Sequence, residues 1–167
     1  SEMCIRDSHD ASEIAQIKEL LDTHNKPVSC LSRHIFAGLT TASKAGDKDH
    51  TRHMDYLKCV IEMAHQLNCP LVRIMTSKKE QILWGTNGAE HWNVAKGAWD
   101  TLPPLIAPAV DLARTEGVTL VVETGNGTMV NSNYTAVKLI DALDAKDVLK
   151  VLWDPAVSYT HLTLPTI

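Results

Sequence analysis

One stretch of the chain, Val118-Thr-Leu-Val-Val-Glu123-Thr-Gly-Asn-Gly127, constrains the fold more strongly than any other. Apolar and β-branched residues run between Gly117 and Gly125 and end in a single carboxylate. A short apolar run of this kind is typical of a strand that is buried on both faces in a parallel sheet. Because an unpaired buried carboxylate is costly, Glu123 is expected where the strand emerges. Acidic residues at the carboxyl ends of parallel strands are where α/β barrels place their chemistry.

The rest of the sequence alternates helical and strand patterns. Apolar residues at helical spacing predict four helices: one capped by Asp10 or Ser12, one containing Met54–Leu67, one over about Trp99–Glu116, and one capped by Asn131 or Ser132. Strands are predicted at Val28–Ser32, Leu71–Met75, 118–122 and Val148–Trp153. Pro103, Pro104 and Pro108 predict a bent or late-starting third helix. The pattern predicts the α/β class, with about four parallel strands and intervening helices, which is half of a TIM (β/α)8 barrel.

Composition places the chain among ordinary globular proteins. Its 167 residues are 44% hydrophobic and 22% charged, with a formal net charge of −4. The sequence has no stripe of Lys and Arg residues that would predict nucleic-acid binding, and no apolar run is long enough to predict a membrane span. Cys30, Cys59 and Cys69 form no C-x-x-C pair, which favours reduced thiols in a cytoplasmic protein.

Both ends of the chain look foreign to its middle. Residues 1–8 and 157–167 resemble the translation of adapters used in sequencing libraries. We therefore expect the native segment to be residues 9–156, a fragment of a longer barrel, and expect the two tails to be non-native.

Glu123 and Asp154 occupy equivalent positions, since each follows a predicted strand and the two strands are one βα unit apart. Adjacent parallel strands lie about 4.8 Å apart, so the two carboxylates are able to converge on one hard divalent cation. Two ligands do not complete a site. The alternative is that each carboxylate caps a helix or pairs with a lysine.

Val-Val-Glu123-Thr-Gly-Asn-Gly, Asn131 and Val-Leu-Trp-Asp154-Pro-Ala together resemble the xylose isomerase-like barrels, the sugar phosphate isomerase/epimerase group. The segment Tyr56–Met75 is similar too. The resemblance implies that Glu123 and Asp154 bind a divalent metal, Mn²⁺, Mg²⁺ or Co²⁺ with Zn²⁺ as a further candidate, and that Glu123 also moves protons. The family adds a histidine and a second glutamate from later strands, so we expect the chain alone to be inactive.

Three further residues are candidates for substrate binding: Arg73, His34 and Asn126. A guanidinium at a strand end suits an anionic or hydroxylated substrate, although a structural ion pair explains Arg73 equally well. His34 follows the first strand, and Asn126 lies in a tight βα loop. His50 and His53 have a spacing that suits a metal, but a solvated helix start is the favoured interpretation.

The long polar segment Thr76–Trp92 is predicted to be a functional loop, and Trp84, Trp92 and Trp99 form either an apolar wall over a sugar or ordinary packing. We expect a small-molecule sugar or sugar phosphate as partner, with a homo-oligomeric parent left open. Two other functions remain open. One is an abasic-site endonuclease-like barrel, which expects a histidine near Arg73. The other is a barrel without catalytic activity that serves as a binding module.

Overall fold

The computed structural model describes residues 11–79 and 97–157 of the chain. Helices and strands alternate through this part, as predicted from the periodicity. The helices are α1 (Ala11–Thr23), α2 (Lys48–Gln66), α3 (Ala98–Glu116) and α4 (Asn133–Ala142). The strands are β1 (Leu31–Ser32), β2 (Leu71–Ile74), β3 (Thr119–Glu123) and β4 (Leu149–Leu152). None of the helices in this part of the chain has the length and apolar character needed to cross a membrane.

The four strands form one parallel sheet in the order β1-β2-β3-β4. Ser32, Arg73, Val121 and Lys150 lie side by side in one row across the sheet. Sequential strands that pair in parallel through intervening helices are the repeating unit of an α/β barrel. The predicted fold class is therefore confirmed, with four parallel strands and intervening helices.

The two faces of the sheet differ in character. One face carries Val72, Ile74, Leu120, Val122 and Leu149, each fully buried. Helices α2, α3 and α4 pack against β2, β3 and β4, respectively, and cover this face. Strand alternation puts the row that contains Arg73 on the opposite face. The apolar core thus lies between sheet and helices, and charged side chains collect on the other side.

Strands β1, β2 and β4 are shorter than predicted, whereas β3 keeps its predicted length of five residues. β1 has two residues instead of the predicted Val28–Ser32, because only Leu31 and Ser32 pair with β2. β2 ends at Ile74, since the backbone N–H of Met75 donates to the carbonyl of Ile35 at 2.9 Å, outside the ladder. Apolar character predicts where a strand runs, but its length is set by the pairing available to each residue.

Helix boundaries follow from local capping. Asp47 caps α2 by accepting from the backbone N–H of His50 at 2.8 Å. Ser132, one of the two predicted caps, begins α4 with a capping box in which its side chain and that of Thr135 each accept from the other residue's backbone. Of the two predicted caps of α1, Ser12 lies inside the helix, which begins at Ala11, and Asp10 lies outside the described residues.

Helix α3 begins at Ala98, ahead of all three of its prolines, so the prediction of a late start is wrong. Each proline removes one helical hydrogen bond. The helix is nevertheless formed because its apolar stripe is completely buried, with Leu102, Ile106, Ala109 and Ala113 at zero exposure. It ends at Gly117, whose φ of 68° is the left-handed conformation in which glycine is favoured.

The cysteine prediction is correct in part. Cys30 and Cys69 are free thiols, and Cys69 is buried. Cys59 is disulfide-bonded, so the expectation of a reduced thiol is wrong at this position. Spacing rules recognise neighbouring pairs such as C-x-x-C, and they give no information on a partner distant in the sequence.

A candidate active site at the carboxyl end of the sheet

Arg73 and Glu123 form an ion pair at the carboxyl end of the sheet, between Arg73 Nη1 and Glu123 Oε2. The sheet register explains why they meet. Arg73 pairs with Val121, and Glu123 lies two residues further along β3 on the same face. Their side chains retain 11% and 21% exposure, respectively. The carboxylate is therefore placed where the strand emerges, as predicted, and its charge is compensated by a neighbouring strand.

The guanidinium of Arg73 is only partly satisfied by this pair. Its Nη2 lies 3.5 Å from His34 Nδ1, at the limit of a hydrogen bond. Its Nε is buried and has no hydrogen-bond partner among residues 11–79 and 97–157. An arginine carries five N–H donors, and buried donors without partners are uncommon in folded proteins. Three predicted site residues, His34, Arg73 and Glu123, are thus brought together, and one donor among them lacks an acceptor.

The loop that carries His34 is fixed by the elements on either side of it. The backbone N–H of Phe36 donates to His53 Nδ1 at 3.0 Å, and the carbonyl of Ile35 accepts from the backbone N–H of Met75, directly after β2. Phe36 is fully buried with a φ of 68°, a conformation that few residues other than glycine adopt. Its ring lies 5.8 Å from the ring of His50 and 5.9 Å from that of His53. Helix α2 therefore holds this loop, although His34 itself is exposed.

Two of the three histidines of α2 are buried structural residues, with exposures of 3% for His50 and 9% for His53. His50 uses both ring nitrogens: Nε2 donates to the carbonyl of Leu105 at 2.8 Å, and Nδ1 accepts from the backbone N–H of Gly46. The expectation of a solvated helix start is therefore wrong. Helical spacing predicts which face of the helix a residue lies on, but it does not predict that a backbone group will hydrogen-bond to an imidazole on that face.

Asp154 follows β4 by two residues. Its backbone N–H donates to Thr124 Oγ1 at 3.1 Å, which fastens the end of β4 to the end of β3. Its Oδ1 accepts from the backbone N–H of Ala156 at 2.8 Å, in the manner of a helix cap. The alternative role of capping residue is therefore observed for Asp154, while a carboxylate oxygen retains further lone pairs for another partner.

The donor set at this edge suits a hard divalent cation only in part. Glu123 and Asp154 follow adjacent strands and offer the carboxylate oxygens that Mg²⁺ and Mn²⁺ prefer. Within residues 11–79 and 97–157, no group of three or more His, Cys, Asp or Glu side chains is arranged to hold a metal. A metal site that used these two residues would need further ligands from outside the described residues.

The loops that follow β2 and β3 are bonded to each other. Lys78 and Thr128 form an antiparallel bridge. The N–H of Met129 donates to the carbonyl of Ser77 at 2.9 Å, and that of Lys79 to the carbonyl of Gly127 at 2.8 Å. The turn preceding this bridge is tightly packed, since a Cβ added at Gly125 would lie 3.1 Å from Met75 Cε and Thr128 Oγ1. Asn126 is exposed at the tip of this turn.

Two buried polar residues at this edge were missed as candidates. Lys79 is 8% exposed, and burial lowers the pKa of its ammonium group. Asn131 is fully buried; its Oδ1 accepts from Thr135 Oγ1 at 3.3 Å, and its Nδ2 has no partner in the part of the chain that the structure describes. Asn131 was already noted as part of the family-like pattern, but a single asparagine before a helix is most simply explained as a cap.

Trp99 belongs to the core rather than to a substrate wall. It is 6% exposed on α3, and the ammonium group of Lys138 lies 4.0 Å from the centre of its ring. The other two tryptophans of the predicted wall, Trp84 and Trp92, lie outside the described residues, as does most of the predicted long loop.

Several solved structures share this fold. One is the IOLI protein with a bound zinc atom, at 16% identity and a TM-score of 0.64, where 98% of this chain covers 51% of that one. Another is a xylose isomerase-like TIM barrel protein from Mycobacterium smegmatis in complex with magnesium, at 18% identity and 0.62, covering 95% and 51%. A third is D-psicose 3-epimerase in the presence of D-fructose, at 12% identity and 0.63, covering 93% and 52%. The chain spans about half the length of each.

At these identities the structural likeness establishes the fold alone. No curated protein matches the sequence. The sequence itself matches the model of one family, described as Xylose isomerase-like TIM barrel, over residues 2–160. Because this match extends over nearly the whole sequence and agrees with the parallel sheet, the chain belongs to the xylose isomerase-like TIM barrel family.

Proposed function

We propose that this chain supplies one half of the active site of a metal-dependent enzyme that isomerises or epimerises a sugar or sugar phosphate. The observation that carries the proposal is the placement of Glu123 against Arg73, with Asp154 at the end of the adjacent strand. Structural neighbours that are sugar epimerases, and neighbours crystallised with zinc or magnesium, support the same class of chemistry.

The proposed reaction moves a proton next to a carbonyl group. Glu123 removes the proton from the carbon beside the carbonyl and returns it to the neighbouring carbon in an isomerisation, whereas an epimerisation would need a second acid on the opposite face of that carbon. Glu123 and Asp154, with further ligands from elsewhere in the barrel, would hold a divalent metal, which would polarise the substrate oxygens. His34 and Asn126, both exposed at this edge of the sheet, are placed to hydrogen-bond sugar hydroxyls, and Arg73 suits a phosphate or a hydroxyl oxygen.

The proposal is tested in two steps. The gene is first read across both ends of this segment by a method that uses no adapters. We expect it to continue beyond Pro155 into two further βα units with a histidine and a glutamate at their strand ends. If the gene instead encodes residues 157–167 and then stops, the catalytic proposal is withdrawn for this protein.

The encoded protein is then incubated with Mn²⁺ and ketohexoses in D₂O, and deuterium at the carbon next to the carbonyl is measured by mass spectrometry. We expect deuterium exchange by the unsubstituted protein. We expect its rate to fall by at least about 100-fold in Glu123→Gln, as is typical when a general base is removed. Glu116→Gln is the matched control, since Glu116 pairs with His65 at the C-terminus of α3, away from the site. Equal exchange by both variants would reject Glu123 as the base.

A further inference from the structure

Arg73 offers little of its guanidinium to a substrate. Its Nη1 contacts Glu123 Oε2, and its Nη2 lies 3.5 Å from His34 Nδ1. Its Nε is buried, so a ligand cannot reach this donor in the observed conformation. The side chain of Arg73 keeps 11% exposure, whereas that of Glu123 keeps 21%. Of the two charged groups, the carboxylate is therefore the more accessible from the open side of the site.

The carboxylate of Glu123 is held through one of its two oxygens. Oε2 accepts from Arg73 Nη1, and Oε1 makes no hydrogen bond to any residue that the structure describes. A carboxylate that acts as a base must be ionised and must point at the proton that it removes. A neighbouring cation favours the ionised form, and a contact on one oxygen leaves the lone pairs of the other available. The observed contact therefore meets both requirements.

We propose that Arg73 is a positioning residue for Glu123: by holding Oε2, it aims Oε1 at the carbon-bound proton of the substrate. In that step the C–H bond breaks, its electron pair moves toward the carbonyl oxygen, and the proton moves to Oε1. The inference rests on the proposed function, because it takes Glu123 as the base. It differs from a role of Arg73 in substrate binding, since no donor of the arginine needs to touch the substrate. The contact joins two paired strands, β2 and β3, and residues on such rigid elements hold a geometry precisely.

The test separates positioning from substrate binding through the kcat and KM of deuterium exchange, measured on the encoded protein with Mn²⁺ and ketohexoses in D₂O. Loss of a positioning contact lowers kcat and leaves KM nearly unchanged, whereas loss of a substrate contact that is equally strong before and during the reaction raises KM. We expect the kcat of Arg73→Gln to fall by about tenfold to 100-fold, since misplacing a reacting group by about 1 Å costs up to that much. Arg73→Lys is expected to retain more of kcat than Arg73→Gln, because an ammonium group keeps a cation beside Oε2.

Arg114→Gln is the matched control, because it removes an arginine–carboxylate pair at the other end of the sheet. Arg114 Nε donates to Asp147 Oδ2 at 2.8 Å, and Asp147 lies just before the start of β4. Its kcat and KM are expected to equal those of the unsubstituted protein. Circular dichroism checks that each variant folds. If Arg73→Gln does not fold, Arg73→Lys decides alone, with an expected fall in kcat at unchanged KM. If neither variant folds, Arg73 serves the fold and the inference is wrong.

The outcomes separate this inference from the function on which it rests. If Glu123→Gln loses exchange while Arg73→Gln keeps its kcat and raises KM, Arg73 binds substrate; the inference is then wrong and Glu123 stands as the base. Unchanged kcat in both Arg73 variants, or a fall as large in Arg73→Lys as in Arg73→Gln, also overturns it. If the unsubstituted protein exchanges deuterium into no ketohexose, or Glu123→Gln exchanges as fast as the unsubstituted protein, the proposed function and the inference are both rejected.

Discussion

At the scale of single residues, His53 shows how a titratable side chain can serve the fold rather than the chemistry. Burial lowers the pKa of His53 below the ordinary value for a histidine, and the nearby charge of Arg52 lowers it further. The neutral ring accepts the backbone N–H of Phe36 through Nδ1. A protonated imidazole would lose that acceptor and carry a buried charge. The loop that bears His34 therefore depends on an uncharged histidine.

This dependence predicts a loss of stability in mild acid. Because the pKa of His53 is lower in the folded chain, the unfolded chain takes up a proton at His53 at a higher pH than the folded chain does. The contribution of neutral His53 to the free energy of unfolding is present in full above about pH 6.5, and it falls as the pH drops toward the pKa of His53 in the folded chain. The melting temperature is expected to decrease between pH 7.5 and 5.5, and to decrease less in His53→Gln. His24→Gln, at an exposed position, should follow the unsubstituted chain; identical slopes in all three would contradict the assignment.

The site residues differ in how far the sequence predicts them. The position of Glu123 at the end of a strand is predicted from the cost of burying a carboxylate. The face of the sheet on which Arg73 lies is predicted from the alternation of side chains along a strand. Their ion pair does not follow, because it depends on the register between β2 and β3, and register is a property of two strands. The burial of His50 and His53 was missed for a related reason: their partners are backbone groups distant in sequence.

At the scale of elements, α4 is defined by its first turn. Ser132 and Thr135 satisfy each other's backbone N–H groups, and Thr135 Oγ1 also contacts the buried amide of Asn131. This capping box lies at the end of the loop that leaves Glu123. The geometry of the candidate site and the start of the helix are therefore coupled through five consecutive residues, 131–135.

Removing the cap should weaken the fold by a measurable amount. Ser132→Ala is expected to lower the free energy of unfolding by about 1 kcal/mol, the typical cost of losing an N-cap side chain. Urea denaturation followed by circular dichroism measures it. Ser12→Ala is the control and should change stability little, since among the described residues the exposed Ser12 hydroxyl bonds only to Gln16, at 3.4 Å. A cost for Ser12→Ala as large as that for Ser132→Ala would exclude a specific capping effect.

Elements of this fold are readily predicted from the sequence, but their ends are not. The apolar stripe of α3 and the run of β3 both fix an element to within a residue or two. The length of β1 is not fixed in this way, because only Leu31 and Ser32 of the predicted strand pair with β2. Similarly, the three prolines of α3 predicted a delay that burial of its apolar stripe overrides.

At the scale of the whole molecule, the sheet is covered on one face and open at its edges. Within the described residues, β1 pairs only with β2 and β4 only with β3. Leu152 and Trp153 at the end of β4 are 38% and 55% exposed. Strand edges that present free backbone groups and apolar side chains tend to pair with other chains.

We therefore expect expressed residues 9–156 to aggregate or to form oligomers, measured by size-exclusion chromatography with light scattering. Leu152→Lys should reduce this association, because a charge on an edge strand opposes pairing. Leu20→Lys is the matched control, since Leu20 is 61% exposed on α1, away from the sheet edge. A sharply melting monomer would contradict the half-barrel interpretation, and an equal effect of both substitutions would contradict pairing through β4.

The bridge between Lys78 and Thr128 also bears on how such a site can diversify. Because backbone hydrogen bonds join residues 77–79 to residues 127–129, the two loops share one register. Inserting or deleting a residue between Gly125 and Val130 would shift every one of these bonds. Laboratory evolution of this edge should therefore keep the length of the loop constant and vary only its outward side chains, beginning with Asn126.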